Sequence, residues 1–150
     1  MVETQMMIRK PAATVFQAFI DPSITKHFWF TKSSGKLETG KTVTWEWEMY
    51  NVSTEVFVKA IVENEKITIK WGAPATTVEF NFIVLGVEKT YVVIKNYGFD
   101  PSGGKLIDAI KDNTGGFTTV LDGMKAYLEH NIELKLIEDK FPKEASEHGK

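Results

Sequence analysis

The sequence has 150 residues, of which 43% are hydrophobic and 25% charged, values typical of one globular domain with a sizeable core. A net charge of −2 gives no electrostatic reason for binding nucleic acid or an anionic membrane. The absence of cysteine excludes disulfides, thiol catalysis and cysteine-based metal sites, and it favours a reducing compartment.

The amino terminus has no pattern of a secretory signal, because residues 1–4 are largely polar and lead directly into a strand pattern. No apolar run approaches the roughly 20 residues that a membrane-spanning helix needs. We therefore expect a cytoplasmic protein without membrane insertion.

The first part of the chain predicts one strand followed by two short helices. Residues 2–8 alternate between apolar and polar side chains, which is the period of a strand. Pro11 suits the first turn of a helix that ends at Asp21-Pro22, and a shorter helix follows and ends near Thr31.

From Lys36 to Phe99 the period changes to two, which predicts about six consecutive strands. Their connections are short, so we expect an antiparallel meander with one wet face. The residues expected on the inward face are Val43, Trp45, Trp47, Met49, Val56, Val58, Ala60, Val62, Ile67, Ile69, Trp71, Val78, Phe80, Phe82, Val84, Thr90, Val92, Ile94 and Asn96.

The longest helical pattern runs from Phe117 to Glu138. Thr114-Gly115-Gly116 predicts a helix breaker and an N-cap just before this helix, and Phe141-Pro142 predicts the end of the helix. The segment 105–112 is expected to form a helical turn or a mobile loop. The apolar stripe consists of Phe117, Val120, Leu121, Met124, Leu128, Ile132 and Leu136, with Tyr127 and Leu134 at its margins, and the solvated face carries Thr118, Asp122, Lys125, Glu129, Glu133 and Lys140.

A helix with one apolar stripe needs an apolar surface to cover, and the preceding strands supply it. The sequence therefore predicts an α+β domain in which a curved antiparallel sheet of about six or seven strands is closed by the carboxy-terminal helix. We expect this single domain to span residues 1–142 and a frayed polar tail to span 143–150.

Catalytic and metal-binding patterns are weak. His27 is the one histidine near the expected pocket mouth, and a histidine alone there is more often a packing or surface residue than a base. Glu46 and Glu48 share a strand face opposite the tryptophans, which favours a solvated face over an acid–base pair. We therefore predict no catalytic residues, no metal and no cofactor.

The apolar lining of the inward face is the more informative feature. A plain core explains most of it, yet a helix across a strongly curved sheet often leaves a gap, and large aromatic side chains suit a small-molecule pocket. Asn96 and Thr90, inward on an apolar strand, are candidates for holding a polar group of a ligand. The predicted ligand-binding residues are Phe28, Trp29, Trp45, Trp47, Trp71, Phe80, Phe82, Val92, Ile94, Asn96, Phe117, Leu121, Met124 and Tyr127.

Four segments of this sequence, in the order in which they occur, resemble segments of the SRPBCC superfamily, which has the helix-grip (Bet v 1/START-like) fold. Within it, the sequence resembles the group named after the carboxy-terminal domain of the activator of heat-shock protein 90 ATPase. At Phe117 the family usually has tryptophan. The segments are Lys10–Phe16, Asp21-Pro22 with Phe28-Trp29-Phe30, Thr90–Phe99, and Gly115-Gly116-Phe117 with Leu121–Glu129.

The resemblance implies the helix-grip fold and a choice among functions, since such families include hydrophobic-ligand binders, lipid-transfer domains, polyketide-type cyclases and co-chaperone domains. We expect a non-catalytic protein, monomer or homodimer, that binds a small hydrophobic or amphipathic molecule. One alternative is a co-chaperone-like module that stimulates a chaperone ATPase. Another is a polyketide cyclase/dehydratase-like enzyme that uses Trp and Tyr side chains with His27 and Asn96.

Overall fold

The computed structural model describes residues 1–99, 103–142 and 144, and for residues 103–111 it describes the backbone alone. The order of elements is the one that the sequence predicts: a strand, two short helices, a run of strands and a long helix. The elements are β1 (Val2–Ile8), α1 (Ala12–Ile20), α2 (Pro22–Thr25), β2 (Lys32–Ser33), β3 (Thr42–Trp47), a 3₁₀ turn (Glu48–Tyr50), β4 (Val52–Val62), β5 (Lys66–Trp71), β6 (Thr76–Gly86), β7 (Lys89–Tyr97), α3 (Gly103–His130) and α4 (Leu136–Lys140).

The seven strands form one antiparallel sheet in the order β1-β7-β6-β5-β4-β3-β2. Strands β2 to β7 pair in sequence as a meander, and β1 pairs with β7. Ile94 lies opposite Thr4 on one side and Phe80 on the other, so one inward face continues across the sheet. The predicted α+β helix-grip fold, with a curved sheet and a long helix near the carboxy terminus, is confirmed.

The core lies between the inward face of the sheet and the helices. Phe117, Leu121 and Met124 of α3 are each at most 2% exposed, and each buried side chain of this size contributes roughly 1.5–3 kcal/mol. Their partners in the buried cluster include Val43, Val56, Val58, Ile67, Ile69, Val78, Phe80, Val92 and Ile94 from the sheet and Val15, Phe16 and Phe19 from α1.

In β4 the expected inward alternation is wrong beyond Val58. The pairing with β5 shifts register between Val58 and Ala60, and such a bulge changes which side chains face the core. Ile61 therefore packs against the core, whereas Ala60 is exposed and Val62 is 48% exposed.

The alternation also ends early in two other strands. Val84 is 66% exposed because the pairing of β6 with β7 shifts between Val84 and Gly86 near the hairpin turn. Met49 is 37% exposed because the chain leaves β3 after Trp47 and enters the 3₁₀ turn.

Helix α3 begins earlier than the sequence indicates. Its backbone is helical from Gly103, so Gly115 and Gly116 lie inside the helix and do not precede it. Of the two alternatives expected for residues 105–112, the helical one is correct and the mobile loop is wrong, but these residues belong to α3 and do not form a separate turn. Glycine is a poor helix former, but tertiary packing of the apolar stripe that follows overrides this preference.

Helix α3 also ends earlier, at His130, where the sequence predicts a continuous helix to Glu138. Asn131 has a φ of 53°, the left-handed conformation that commonly terminates helices. Ile132 and Leu134 are 50% and 45% exposed in the connection to α4. Their assignment to the apolar stripe and its margin is wrong, because the stripe ends with the helix.

The predicted solvated face of α3 is wrong at Glu129, whose side chain is only 8% exposed. Its Oε2 accepts a 2.9 Å hydrogen bond from Arg9 N and lies 2.6 Å from Lys125 Nζ, which in turn donates to the carbonyl oxygen of Met7 at 2.8 Å. Because β1 is an edge strand, this ion pair satisfies backbone groups that would otherwise stay open to strand addition.

The predicted tail at 143–150 lies, except for Glu144, outside the described residues. Among the residues described, no helix has the length and apolar character that spanning a membrane requires.

We predict that Leu121→Ala lowers the free energy of unfolding by about 2–5 kcal/mol, because it leaves a cavity beneath α3. The neighbouring Asp122 is exposed, and Asp122→Ala should change that free energy by no more than about 0.5 kcal/mol. Urea titrations of the two variants measure the difference, and equal effects would contradict the packing of α3.

We also predict a pH dependence at Glu129. Burial alone would raise the pKa of its carboxyl group, but hydrogen bonds from Lys125 and Arg9 N, with the Lys125 charge, hold this pKa below its ordinary value. A carboxyl group with a lowered native pKa stabilises the fold above its unfolded pKa of about 4.3, and this contribution is lost as the pH falls through the native pKa.

Glu129→Gln should therefore lower the free energy of unfolding by about 1 kcal/mol at pH 7 and by progressively less below about pH 4.3. Glu63, exposed in the turn between β4 and β5, supplies the control Glu63→Gln. A difference between the two variants that does not shrink in acid would refute the ionic role of Glu129.

Candidate functional site

The predicted binding residues divide into a packed interior and a partly exposed rim. Trp47, Trp71 and Tyr127 are only partly buried. The others are at most 6% exposed: Phe28, Trp29, Trp45, Phe80, Phe82, Val92, Ile94, Asn96, Phe117, Leu121 and Met124.

Trp29, in the turn after α2, lies at the centre of an aromatic cluster that joins this turn, the sheet and α3. Its ring centroid is 4.8 Å from that of Trp45 and 5.9 Å from that of Trp71. Trp71 stacks on Phe117 at 5.6 Å with an interplanar angle of 26°. These distances are those of contacting aromatic pairs, so the cluster is well packed on the side of Trp45.

A cavity of about 130 Å³ opens on the other side of this cluster, between β3, β5 and α3, and we call it the tryptophan cleft. It does not reach the inner part of the predicted site around Phe80, Val92 or Met124. Its walls are Trp29, Trp47, Trp71, Asn113, Gly116, Phe117 and Ile137.

The cleft continues outward into a wider depression of about 680 Å³, which we call the outer groove. The two share Trp47, Gly116 and Ile137. A volume of this size lies within the range typical of small-molecule sites. The walls of the outer groove are Trp47, Tyr50, Val52, Asp112, Gly115, Gly116, Thr119, Ile137, Lys140 and Phe141.

Two glycines in the interior of α3 line these cavities: Gly116 lines both the cleft and the groove, and Gly115 lines the groove. A Cβ atom at Gly116 would meet nothing within 4 Å, and one at Gly115 would approach only Lys140 Nζ, at 3.3 Å. At Gly123, by contrast, a Cβ would lie 3.3 Å from Phe28 Cβ, which gives that glycine a packing role. Packing therefore does not account for Gly116, because a methyl group there would clash with nothing. Glycine at this position nevertheless costs about 1 kcal/mol of helix stability relative to alanine.

Helix α4 forms the outer wall, and sequence reasoning missed it by merging it with α3. Tyr50 holds it in place, because its hydroxyl group donates to the carbonyl oxygens of Ile137 and, at 3.3 Å, Glu138. Ile137 packs against the core and also faces both cavities. Asn131, a residue that tolerates the left-handed conformation, was the sequence signal for the break before α4.

The two inward polar residues that were candidates for holding a ligand, Asn96 and Thr90, already have hydrogen-bond partners. Asn96 Nδ2 donates to Thr76 Oγ1 and to the carbonyl oxygen of Thr77, and its Oδ1 accepts from Asn113 Nδ2 at 2.7 Å. Thr90 Oγ1 donates to the carbonyl oxygen of Lys10 at 2.8 Å. Asn96 therefore positions Asn113 in the cleft wall, and neither Asn96 nor Thr90 lines the cleft.

His27 is not part of the cleft. Its ring stacks on Tyr127 at 4.5 Å, and its Nδ1 is 3.5 Å from Glu133 Oε2. The structure thus brings Tyr127 together with His27 on a surface that adjoins the cleft only through Trp29 and Ile137.

Glu79 and Tyr97, whose pKa values are also shifted, lie on the outward face of the sheet. Burial would raise the pKa of the Glu79 carboxyl group, but hydrogen bonds from Tyr97 and Lys66 lower it overall. The same bond from Tyr97 to Glu79 raises the pKa of the tyrosine hydroxyl. Glu79 follows the buried Val78, so strand parity separates it from the cleft.

Within the described part of the chain, no three His, Cys, Asp or Glu side chains are grouped so that they could hold a metal ion. The residues of the cleft are suited to contacts with an apolar molecule rather than to proton transfer or metal chemistry.

Comparison with known proteins identifies the family. A family model described as "Activator of Hsp90 ATPase homolog 1-like protein" matches residues 9–129. No curated protein sequence matches the chain. Among solved structures, protein SSP2350 from Staphylococcus saprophyticus is similar with 29% identity and a TM-score of 0.79, over 89% of this chain and 95% of that one.

Two more distant structures share the fold. The Aha1 dimer from Colwellia psychrerythraea is 14% identical, with a TM-score of 0.72 over 86% of this chain and 96% of that one. DynU16, a putative protein in the dynemicin biosynthetic locus, is 15% identical, with a TM-score of 0.78 over 88% of this chain and 48% of that one. Because the family match covers most of the sequence, this chain belongs to the Activator of Hsp90 ATPase homolog 1-like family, within the SRPBCC superfamily that its sequence resembles.

Proposed function

We propose that this protein binds a small hydrophobic or amphipathic molecule in the tryptophan cleft and the outer groove, without transforming it. The observation that carries the proposal is Gly116, which lines both cavities. A Cβ atom there would meet nothing within 4 Å, although alanine would make the helix more stable than glycine does.

The chemistry of the walls supports an apolar ligand. Trp47 and Trp71 are partly exposed and face a space that Phe117 and Ile137 close from the helical side. Covering such apolar surface gains about 25 cal/mol per Å² before the costs of association are subtracted. Flat aromatic walls favour a ligand body that is itself flat, since offset stacking and edge contacts then become available.

The packed interior limits how deep the ligand reaches. Phe80, Val92, Ile94, Leu121 and Met124 serve as core in this proposal, and contact with the ligand is left to the predicted residues at the outer end. These contact residues are Trp29, Trp47, Trp71 and Phe117.

Two other functions are less well supported by the geometry. An enzyme of the cyclase/dehydratase type would need a proton donor or acceptor in the cleft, and His27 and Asn96 do not line it. A co-chaperone-like module agrees with the family description and with the shared fold of the Aha1 dimer. Such a module would lose partner binding when the outward Glu46 and Glu48 are changed and would be indifferent to filling of the cleft.

The neutral fluorophore 1-pyrenebutanol tests the proposal. We predict one saturable site per chain, quenching of tryptophan emission by energy transfer, and a rise of the melting temperature, because a ligand that prefers the native state stabilises it. Gly116→Leu should weaken this binding at least tenfold, since a leucine side chain would project into the open space.

Gly116→Ala separates stability from binding. This variant should raise the free energy of unfolding by up to about 1 kcal/mol and still lower the affinity for 1-pyrenebutanol. The control Ala13→Leu adds a leucine at an exposed position of α1 and should leave binding unchanged. Absence of saturable binding, or full binding by Gly116→Leu, would refute the proposal.

A further inference from the structure

We infer that the ligand is an organic acid, with a carboxylate attached to a flat apolar body, and that Lys140 binds the carboxylate. This inference rests on the proposed function, because it concerns the same cavity and names the chemical class of its occupant. It starts from the position of one ammonium group in the outer groove.

Lys140 is held beside α3 by three neighbours. Its Nζ lies 3.3 Å from Thr119 Oγ1 and 5.8 Å from the ring centroid of Phe141. Lys140 Nζ also lies 3.3 Å from the position that a Cβ atom of residue 115 would take if this residue were not glycine. The absence of a side chain at Gly115 therefore allows the ammonium group to lie against the helix at the edge of the groove.

The charge of Lys140 has no counterion among the described residues. No Asp or Glu oxygen of that part of the chain lies within 4.0 Å of Lys140 Nζ, although Asp112 lines the same groove. The lysines Lys66 and Lys125, by comparison, lie 3.1 Å and 2.6 Å from glutamate oxygens. A lysine ammonium has three donors, so Lys140 can still donate to an anion after its contact with Thr119.

The cation lies in the outer groove, which shares Trp47, Gly116 and Ile137 with the aromatic cleft. Ile137 faces the tryptophan cleft, and Lys140, three residues later on the same face of α4, lines the outer groove. A molecule whose apolar body covers Trp47 and Gly116 would bring a carboxylate on its outer end toward Lys140. A charge-assisted hydrogen bond there is stronger than one between neutral groups.

Lys140 lies outside the part of the chain that the family model matches. The family match ends at residue 129, whereas α4 spans Leu136–Lys140. The proposed role of Lys140 therefore rests on the geometry of this chain and not on its family membership.

A matched pair of probes, 1-pyrenebutyrate and 1-pyrenebutanol, tests the inference in the full chain, since the two differ only in the carboxylate. We expect the acid to bind roughly five- to tenfold more tightly than the alcohol at low salt, and raising the salt should reduce the difference. Lys140→Met should abolish the preference while changing the affinity for the alcohol less than twofold. Lys140→Glu should make the alcohol the tighter ligand.

Lys59→Met is the control, because Lys59 is an exposed lysine of β4 that lines neither cavity, and this variant should keep the full preference. Equal affinities for the two probes in the wild-type protein, or a preference retained in Lys140→Met, would overturn the inference. If the alcohol binds, if Gly116→Leu blocks this binding, and if the acid binds no more tightly than the alcohol, only the role of Lys140 fails. If neither probe binds, the proposed function fails with it.

Discussion

The packing of α3 across the inward face of the sheet is the constraint on which the rest of the molecule depends. Burial of Phe117, Leu121 and Met124 against the strands fixes the position of the helix and overrides the poor helix propensity of the two glycines that precede them. The same helix covers the free edge of β1 through the pair Lys125–Glu129. Gly116, in the same helix, lines a cleft with Trp29, Trp47 and Trp71.

Family membership and fold leave the function open, because the helix-grip architecture supports ligand binding, catalysis and chaperone interaction alike. The site is more informative than the fold. Its walls are aromatic, the candidate polar side chains Asn96 and Thr90 are hydrogen-bonded to other protein groups, and His27 lies outside the cleft. Helix α4, beyond the family match, adds the apolar Ile137 and the cationic Lys140 to the walls of the cavity. This combination is the physical basis for proposing an amphipathic ligand.

The strands were predictable because strict alternation survives wherever one face is buried, as at Trp45, Phe80 and Ile94. Alternation could not reveal the bulge after Val58, since register shifts depend on the partner strand and not on local sequence. Strand alternation predicted which aromatic side chains point inward, but it does not indicate how tightly each of them is packed. The inner residues therefore proved to be tightly packed, and the cavity lies at the outer end. The low exposure of the Glu129 side chain gave no local signal. Its ion-pair partner Lys125 is one helical turn away, but the backbone groups that the pair binds, Arg9 N and Met7 O, lie more than a hundred residues away in the sequence.

The most direct test of the cleft as a ligand site uses the four tryptophan indole N–H resonances in a ¹H–¹⁵N spectrum titrated with 1-pyrenebutanol. Trp29, Trp47 and Trp71 line the cleft, whereas Trp45 is 2% exposed and lies behind Trp29. We expect the first three resonances to shift saturably at one ligand per chain while that of Trp45 moves least. A titration that leaves all four in place, or that shifts Trp45 most, would contradict the account.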